Sequence, residues 1–201
     1  MTVKSIVALS KGKKRITFDE GLAILLYSKE IKTYGLEEGA EIESGIIDEI
    51  FEEVILKRAK ARSLHLLEQY DRTESDIRSK LRQGEYPPPV IDEVIEWLYS
   101  YHYLDDYRYA ENLILIRMGR ESKTKLKLTL MNKGVPKDVA ERALEEFYSS
   151  DEDALINELL AKKHFDADTA DDKERRRMYS LLLRNGFSSS SAIKAIKKDS
   201  F

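Results

Sequence analysis

The sequence predicts a mainly α-helical protein: three tandem three-helix repeats in an elongated, curved array, preceded by a small β-containing N-terminal domain. The first observation behind this is a pattern written three times. Ile77-x-x-x-Leu81-x-x-x-x-Tyr86 returns as Leu126-x-x-x-Leu130-x-x-x-x-Val135 and again as Met178-x-x-x-Leu182-x-x-x-x-Phe187. Ten, thirteen and fourteen residues past the middle leucine, each copy is apolar again: Ile91, Val94 and Ile95; Ala140, Ala143 and Leu144; Ala192, Ala195 and Ile196. A period of about 50 residues marks a modular array. The second observation is that the first 27 residues alternate apolar runs with turn residues. The third is composition: 42% apolar residues supply a core, and 35% charged residues of both signs suit helices with wet faces. The expected boundaries are 1–56 for the leading domain and start of a linking helix, then 57–104, 105–149 and 150–201 for the repeats.

In the leader, Val3 to Leu9 is followed by the turn Lys11-Gly12-Lys13. Arg15 to Phe18 alternates, Asp19-Glu20-Gly21 turns, and Leu22 to Leu26 is apolar, which predicts a three-stranded meander. So small a sheet needs a packing partner. Ser28 is placed to cap a short helix ended by Gly35. From Ser44 the apolar residues Ile46, Ile47, Ile50, Phe51, Val54 and Ile55 recur at helical spacing. The pattern runs on to Tyr70, as one helix or as two joined near Lys57.

In the first repeat Thr73 caps a helix carrying Ile77 and Leu81, which stops near Gly84. Pro87-Pro88-Pro89 blocks its continuation, and a third helix carries Val90, Ile91, Val94, Ile95 and Leu98. In the second, Asp105 or Asp106 caps a helix through Ile116, and Ser122 caps one through Leu130 that gives way near Gly134. Leu126, Leu128 and Leu130 alternate like a strand, but alignment with Ile77 and Leu81 overrides that reading. Pro136 is expected in the first turn of the next helix. The third repeat opens with Leu155, Ile156, Leu159 and Leu160, crosses an acidic link from Asp166 to Asp172, and continues as a helix from Arg175 to Arg184. Its last helix follows Ser188 to Ser191 and runs to about Lys198. The expected repeat core is Ile77, Leu81, Ile91, Ile95, Leu126, Leu130, Ala140, Leu144, Met178, Leu182, Phe187 and Ile196.

Several function classes find no support. There is no cysteine, hence no disulfide and no thiolate metal site. His65, His102 and His164 show no ligand spacing, no glycine-rich phosphate loop is present, and Asp105-Asp106 reads better as a helix cap than as a metal pair. No catalytic residue, cofactor or metal is therefore expected. Apolar runs are too short to span a membrane, and Met1 to Ser10 lacks a secretory apolar stretch, so a cytoplasmic protein is expected, and with no long heptad seam visible a monomer is expected. A net charge of −3 argues against bulk-charge binding of nucleic acid. Basic residues nevertheless cluster at Lys123, Lys125, Lys127, Lys133 and Lys137, and at Arg175, Arg176, Arg177, Arg184, Lys194, Lys197 and Lys198. They fit a solvated helix surface, or contact with phosphates or an acidic partner. Tyr99, Tyr101, Tyr103, Tyr107 and Tyr109 straddle the junction of the first two repeats, where packing or partner contact would use them.

Short motifs in order then point to a family. Tyr103-Leu104-Asp105-Asp106-Tyr107-Arg108-Tyr109-Ala110 resembles the Gly-Tyr-Leu-Asp-Asp-x-x-Tyr-Ala motif of RecX proteins, with His102 at the usual glycine. Arg72-Thr73-Glu74-Ser75-Asp76-Ile77 resembles their Arg-Ser-x-x-Glu-Leu, and Lys133-Gly134-Val135 and Leu183-Arg184-Asn185-Gly186-Phe187-Ser188 resemble their helix stops. Phe18-Asp19-Glu20-Gly21 and Leu36-Glu37-Glu38-Gly39 are similar to the β-containing extension of some members. The resemblance implies a bacterial, non-enzymatic regulator of the RecA recombinase. Such proteins lie in the groove of the RecA–DNA filament and suppress its ATPase and strand exchange. The implied partners are the RecA filament and the single-stranded DNA within it, with weak direct DNA binding beside them. Lys123, Lys125, Lys127, Lys133, Arg175, Arg176, Arg177, Arg184 and Lys194 are the candidate contacts. The alternative is a tandem helix-turn-helix-like DNA-binding protein such as a transcription regulator.

Overall fold

In the computed structural model, which describes residues 1–197, the chain divides into two compact units, Met1–Leu104 and a second that begins at Asp105. The first unit opens with three antiparallel strands in meander order, β1 (Val3–Ala8), β2 (Lys13–Phe18) and β3 (Ala23–Tyr27). Ile6, Ile16 and Ile24 sit opposite one another across the strands, a row of β-branched pairs that fixes register. Each sheet edge is met in part by other backbone or side-chain groups. The free side of β1 is met by the segment 39–42, where Val3 N–H donates to Ala40 O at 3.0 Å and Ile42 N–H to Met1 O at 2.8 Å. At β3, the Arg58 guanidinium donates to Leu25 O at 3.0 Å.

Helix α1 (Ser28–Thr33) has Tyr27, not Ser28, at its cap, because Glu30 reaches back to accept from Tyr27 N–H at 2.7 Å. The long helical pattern is continuous but not uniform: α2 (Ser44–Glu49), a π-helical stretch (Ile50–Leu56), then α3 (Lys57–Gln69). The junction expected near Lys57 is thus a change of helical winding with no break. Along it Ile50, Ile55, Leu56, Ala59 and Leu66 are buried in one cluster with residues of both the sheet and the first repeat. One hydrophobic core therefore runs from Val3, Ile16, Phe18, Ile24 and Leu26 through Ile50 to Ile77, Leu81 and Leu98. The leading sheet and first repeat, which is completed by α4 (Glu74–Gln83) and α5 (Pro88–Ser100), share that core.

The second unit holds two three-helix repeats: α6 (Asp106–Arg117), α7 (Lys123–Asn132) and α8 (Lys137–Phe147), then α9 (Glu152–Lys162), α10 (Asp172–Arg184) and α11 (Ser189–Ile196). Each has its own small core, one around Leu126, Leu130, Ala140 and Leu144, the other around Ile156, Met178, Leu182 and Phe187. Ile196 packs half-buried against the latter. Lys198 lies outside the described residues.

The thrice-copied spacing has a physical origin in how the middle helices end. The carbonyl of Leu81 accepts from Tyr86 N–H at 3.2 Å, that of Leu130 from Val135 N–H at 3.1 Å, and that of Leu182 from Phe187 N–H at 3.2 Å. This six-to-one bond closes a helix through a left-handed residue and packs the residue after it onto the helix. The left-handed positions are Glu85 (φ 58°), Gly134 (φ 84°) and Gly186 (φ 82°). In the first repeat the left-handed turn is thus made at Glu85, not at Gly84, whose φ is −81°. Gly84 is needed instead for room: a Cβ there would lie 2.9 Å from the Tyr86 ring. Two residues beyond the left-handed position stand Pro87, Pro136 and Ser188, all in extended cap conformation before the third helix. Pro136 is therefore the cap itself and Lys137 the first helical residue. Thr73 and Ser122 cap the middle helices as expected, accepting from Asp76 and Lys125 N–H. Helix α10 starts a turn earlier than the repeat spacing predicts, at Asp172, capped by Asp171.

Candidate partner interface

Several of the basic residues singled out from the sequence are engaged within the protein, Lys137 among them through Glu141 at 3.9 Å. Lys127 Nζ donates to Glu141 at 2.5 Å, joining α7 to α8, and this bond holds the Glu141 carboxyl below its ordinary range. Lys125 Nζ donates to Arg184 O at 2.9 Å. Arg175 donates to Ile196 O and to Ala167 O, both at 2.6 Å, fastening the acidic link and the end of α11 to α10. Lys194 pairs with Asp153 at 3.1 Å across α9 and α11. Lys125, Lys127 and Arg175 are half-buried by these bonds.

Lys123, Lys133, Arg176, Arg177 and Arg184 are exposed. Arg177 and Arg184 lie seven residues apart on α10, so both project from one side of it. Arg184 stands where the second and third repeats meet. There the end of α10 is set against the start of α7: Asn185 O accepts from Ser122 N–H at 3.4 Å and from its Oγ at 2.9 Å. Helix C-terminal carbonyls meet a helix N-terminus, the favourable alignment of backbone dipoles. Glu152 adds to this seam by accepting from Lys123 N–H at 2.9 Å. Burial, with Glu152 nearby, pushes the Tyr148 phenol beside it up to about 12.

Aromatic residues at the end of the first unit pack on one another. The rings of Trp97 and Tyr101 lie 5.5 Å apart and those of Tyr101 and Tyr103 6.2 Å, while Tyr101 and Tyr103 remain 62% and 47% exposed. His102 between them is left-handed (φ 57°), which accounts for a glycine being usual there in the motif it resembles. Asp105 is the cap of α6, accepting from Tyr107 and Arg108 N–H, and Asp106 is buried.

A second basic feature escaped the sequence reading. Lys13 of β2, Arg58 and Arg62 of α3, and Lys80 of α4 converge with Tyr27 and Tyr86 around a cleft of about 630 Å³. Only the i, i+4 pair Arg58 and Arg62 is local enough to have signalled it.

Comparison with known proteins places this architecture. Residues 59–98 match the RecX first three-helix domain, and residues 105–144 match the second. The regulatory protein RecX of Clostridium acetobutylicum is 30% identical over 98% of this chain and 95% of its own length. The chain belongs to the RecX family. The RecX protein of Clostridium beijerinckii is 24% identical over 98% of this chain and 94% of its own. A crystal structure of regulatory protein RecX superposes with a TM-score of 0.62 at 23% identity, covering 97% of this chain and 98% of that one. RecX from Lactobacillus salivarius gives 0.56 at 23% identity over 70% of this chain and 94% of that one. The RecX fold is thus shared along the chain, and the two matched three-helix domains are its first two repeats. Among the described residues, no helix is long and apolar enough to cross a membrane.

Proposed function

We propose that this protein is a non-enzymatic regulator that binds the RecA–single-stranded DNA filament along its groove and inhibits the recombinase. The observation that carries the reading is near-full-length similarity to a protein named regulatory protein RecX, on a chain built of tandem three-helix repeats. Repeats in series offer many modest contacts, and linked contacts gain affinity through effective concentration. Exposed cations that form no ion pair among the described residues are the contacts available for this: Lys123, Arg176, Arg177 and Arg184. Lys125, Lys127, Arg175 and Lys194 support the same surface by fixing the helices that present it. The protein acts as a cytoplasmic monomer, with no cofactor.

The test is RecA ATPase on single-stranded DNA with this protein added below stoichiometry. Hydrolysis falls and filaments shorten if the reading is right. Full hydrolysis with unchanged filament length refutes it. Arg176→Glu combined with Arg177→Glu weakens inhibition without altering the melting temperature, and full inhibition by that folded variant moves the contact elsewhere.

A further inference from the structure

We propose that the cleft between the leading sheet and the first repeat is a binding site for single-stranded nucleic acid, holding backbone phosphates on Lys13, Arg62 and Lys80 and a base against Tyr27 or Tyr86. The inference deepens the filament reading, on which it rests for the biological source of the strand.

Three elements supply the cations of the site. Strand β2 supplies Lys13, helix α3 supplies Arg58 and Arg62 one turn apart, and α4 supplies Lys80 near its end. No carboxylate stands among the described lining residues. Glu85, beside the cleft, accepts from Arg15 at 2.5 Å, and Glu30 holds Arg58. Lys13, Arg62 and Lys80 form no ion pair among the described residues, in contrast to Lys127 and Lys194. Cations left without internal partners around a concavity are the arrangement that phosphates neutralise.

The rings add a second chemistry. Arg58 lies over the Tyr27 ring at 4.9 Å from its centroid and Lys13 at 5.9 Å on the same ring. Tyr27 is 37% exposed at the mouth. Tyr86 takes the place that buried Val135 and Phe187 hold in the other repeats, yet remains only half-buried and faces the cleft. Gly84 leaves the space in which its ring lies. A cleft of about 630 Å³ is large enough for one or two nucleotides, given that ligand pockets span roughly 300–1,000 Å³. Cationic grooves with aromatic platforms bind single strands with little sequence preference. An acidic peptide would use the cations and leave the rings idle, so the rings favour nucleic acid.

The experiment is fluorescence anisotropy of a labelled oligothymidylate with the full chain and no recombinase present, across a salt series. The variants are Lys13→Gln/Arg62→Gln/Lys80→Gln, Tyr27→Leu/Tyr86→Leu, and a charge-matched control, Lys4→Gln/Lys29→Gln/Lys32→Gln. The cleft triple variant is expected to bind at least tenfold more weakly, with a salt slope lower by about 2, since each phosphate contact on a single strand contributes about 0.7. The tyrosine variant is expected to weaken oligothymidylate at least fivefold and to leave an abasic strand of equal length unaffected. Circular dichroism melts establish that each variant is folded; should the tyrosine pair not fold, Tyr27→Leu alone carries that arm. Three results overturn the proposal: no binding by the parent protein, equal loss in the charge control, or poly-glutamate binding as tightly as the oligonucleotide with no effect of the tyrosines. Because recombinase is absent, failure here leaves the ATPase test standing, and failure there leaves this one standing.

Discussion

Replacing Gly186 by alanine should separate the second and third repeats more effectively than any change in a side chain there. The residue is left-handed at φ 82°, and a Cβ would fall 2.5 Å from Ser122 Oγ and 2.8 Å from both Lys125 N and Lys125 Cβ. The left-handed region costs an ordinary residue about 1–2 kcal/mol. Loss of unfolded-state freedom on going from glycine returns about 0.4–1 kcal/mol. Forcing a methyl into a filled space costs a further 1–3 kcal/mol or so. Backbone N of Lys125 cannot retreat without disturbing α7, and Ser122 Oγ both caps that helix at 3.1 Å and donates to Asn185 O at 2.9 Å. The expected total is therefore about 2–4 kcal/mol. Gly39 provides the internal control, with the same φ of 82° and open space where a Cβ would go, so its alanine variant should cost only about 1 kcal/mol. Urea unfolding of both variants measures the difference, and amide exchange at Ser122 and Lys125 locates it. Equal costs at the two glycines would refute the close approach of α10 to α7.

Three further outcomes follow from the same structure. Leu130, fully buried in a core of few residues, should cost about 2–5 kcal/mol as alanine; an unchanged melting curve would contradict its burial. His102→Gly should stabilise the first unit by about 0.5–1 kcal/mol, because it relieves a left-handed non-glycine residue at an exposed helix end; denaturant midpoints decide it. Glu141 is held below its ordinary carboxylate value first by the hydrogen bond from Lys127. A depressed folded value means the stabilisation is present above the unfolded value and lost as pH falls through the folded one. Lys127→Gln should raise the Glu141 titration midpoint seen by carboxyl NMR and flatten the acid side of the melting-temperature profile; an unmoved midpoint would show that the ion pair does not form in solution.

The architecture was legible because it is local. Hydrophobic spacing fixes which face of a helix is buried, and helix ends are written in the few residues that cap them. Leu81, Leu130 and Leu182 each set both at once, as buried anchors and as the carbonyls that close their helices. Where the written signal and the needed conformation part, reading fails in small ways: Glu85 takes the left-handed turn that neighbouring Gly84 suggests in sequence, and Asp171 starts α10 a turn before the expected place.

Charge was not legible in the same way. A run such as Lys123, Lys125 and Lys127 looks like one basic surface in sequence, yet Lys125 and Lys127 turn to a carbonyl and a carboxylate brought near from residues 184 and 141. Lys13, Arg58, Arg62 and Lys80 show no run at all and still meet in one cleft. The sequence by itself determined the repeats, most of their helix ends and which helix faces are buried, because those depend mainly on neighbours three to six residues away. Only the tertiary structure decided which cations are spent and which are free, because a partner for a charge is chosen by distance in space.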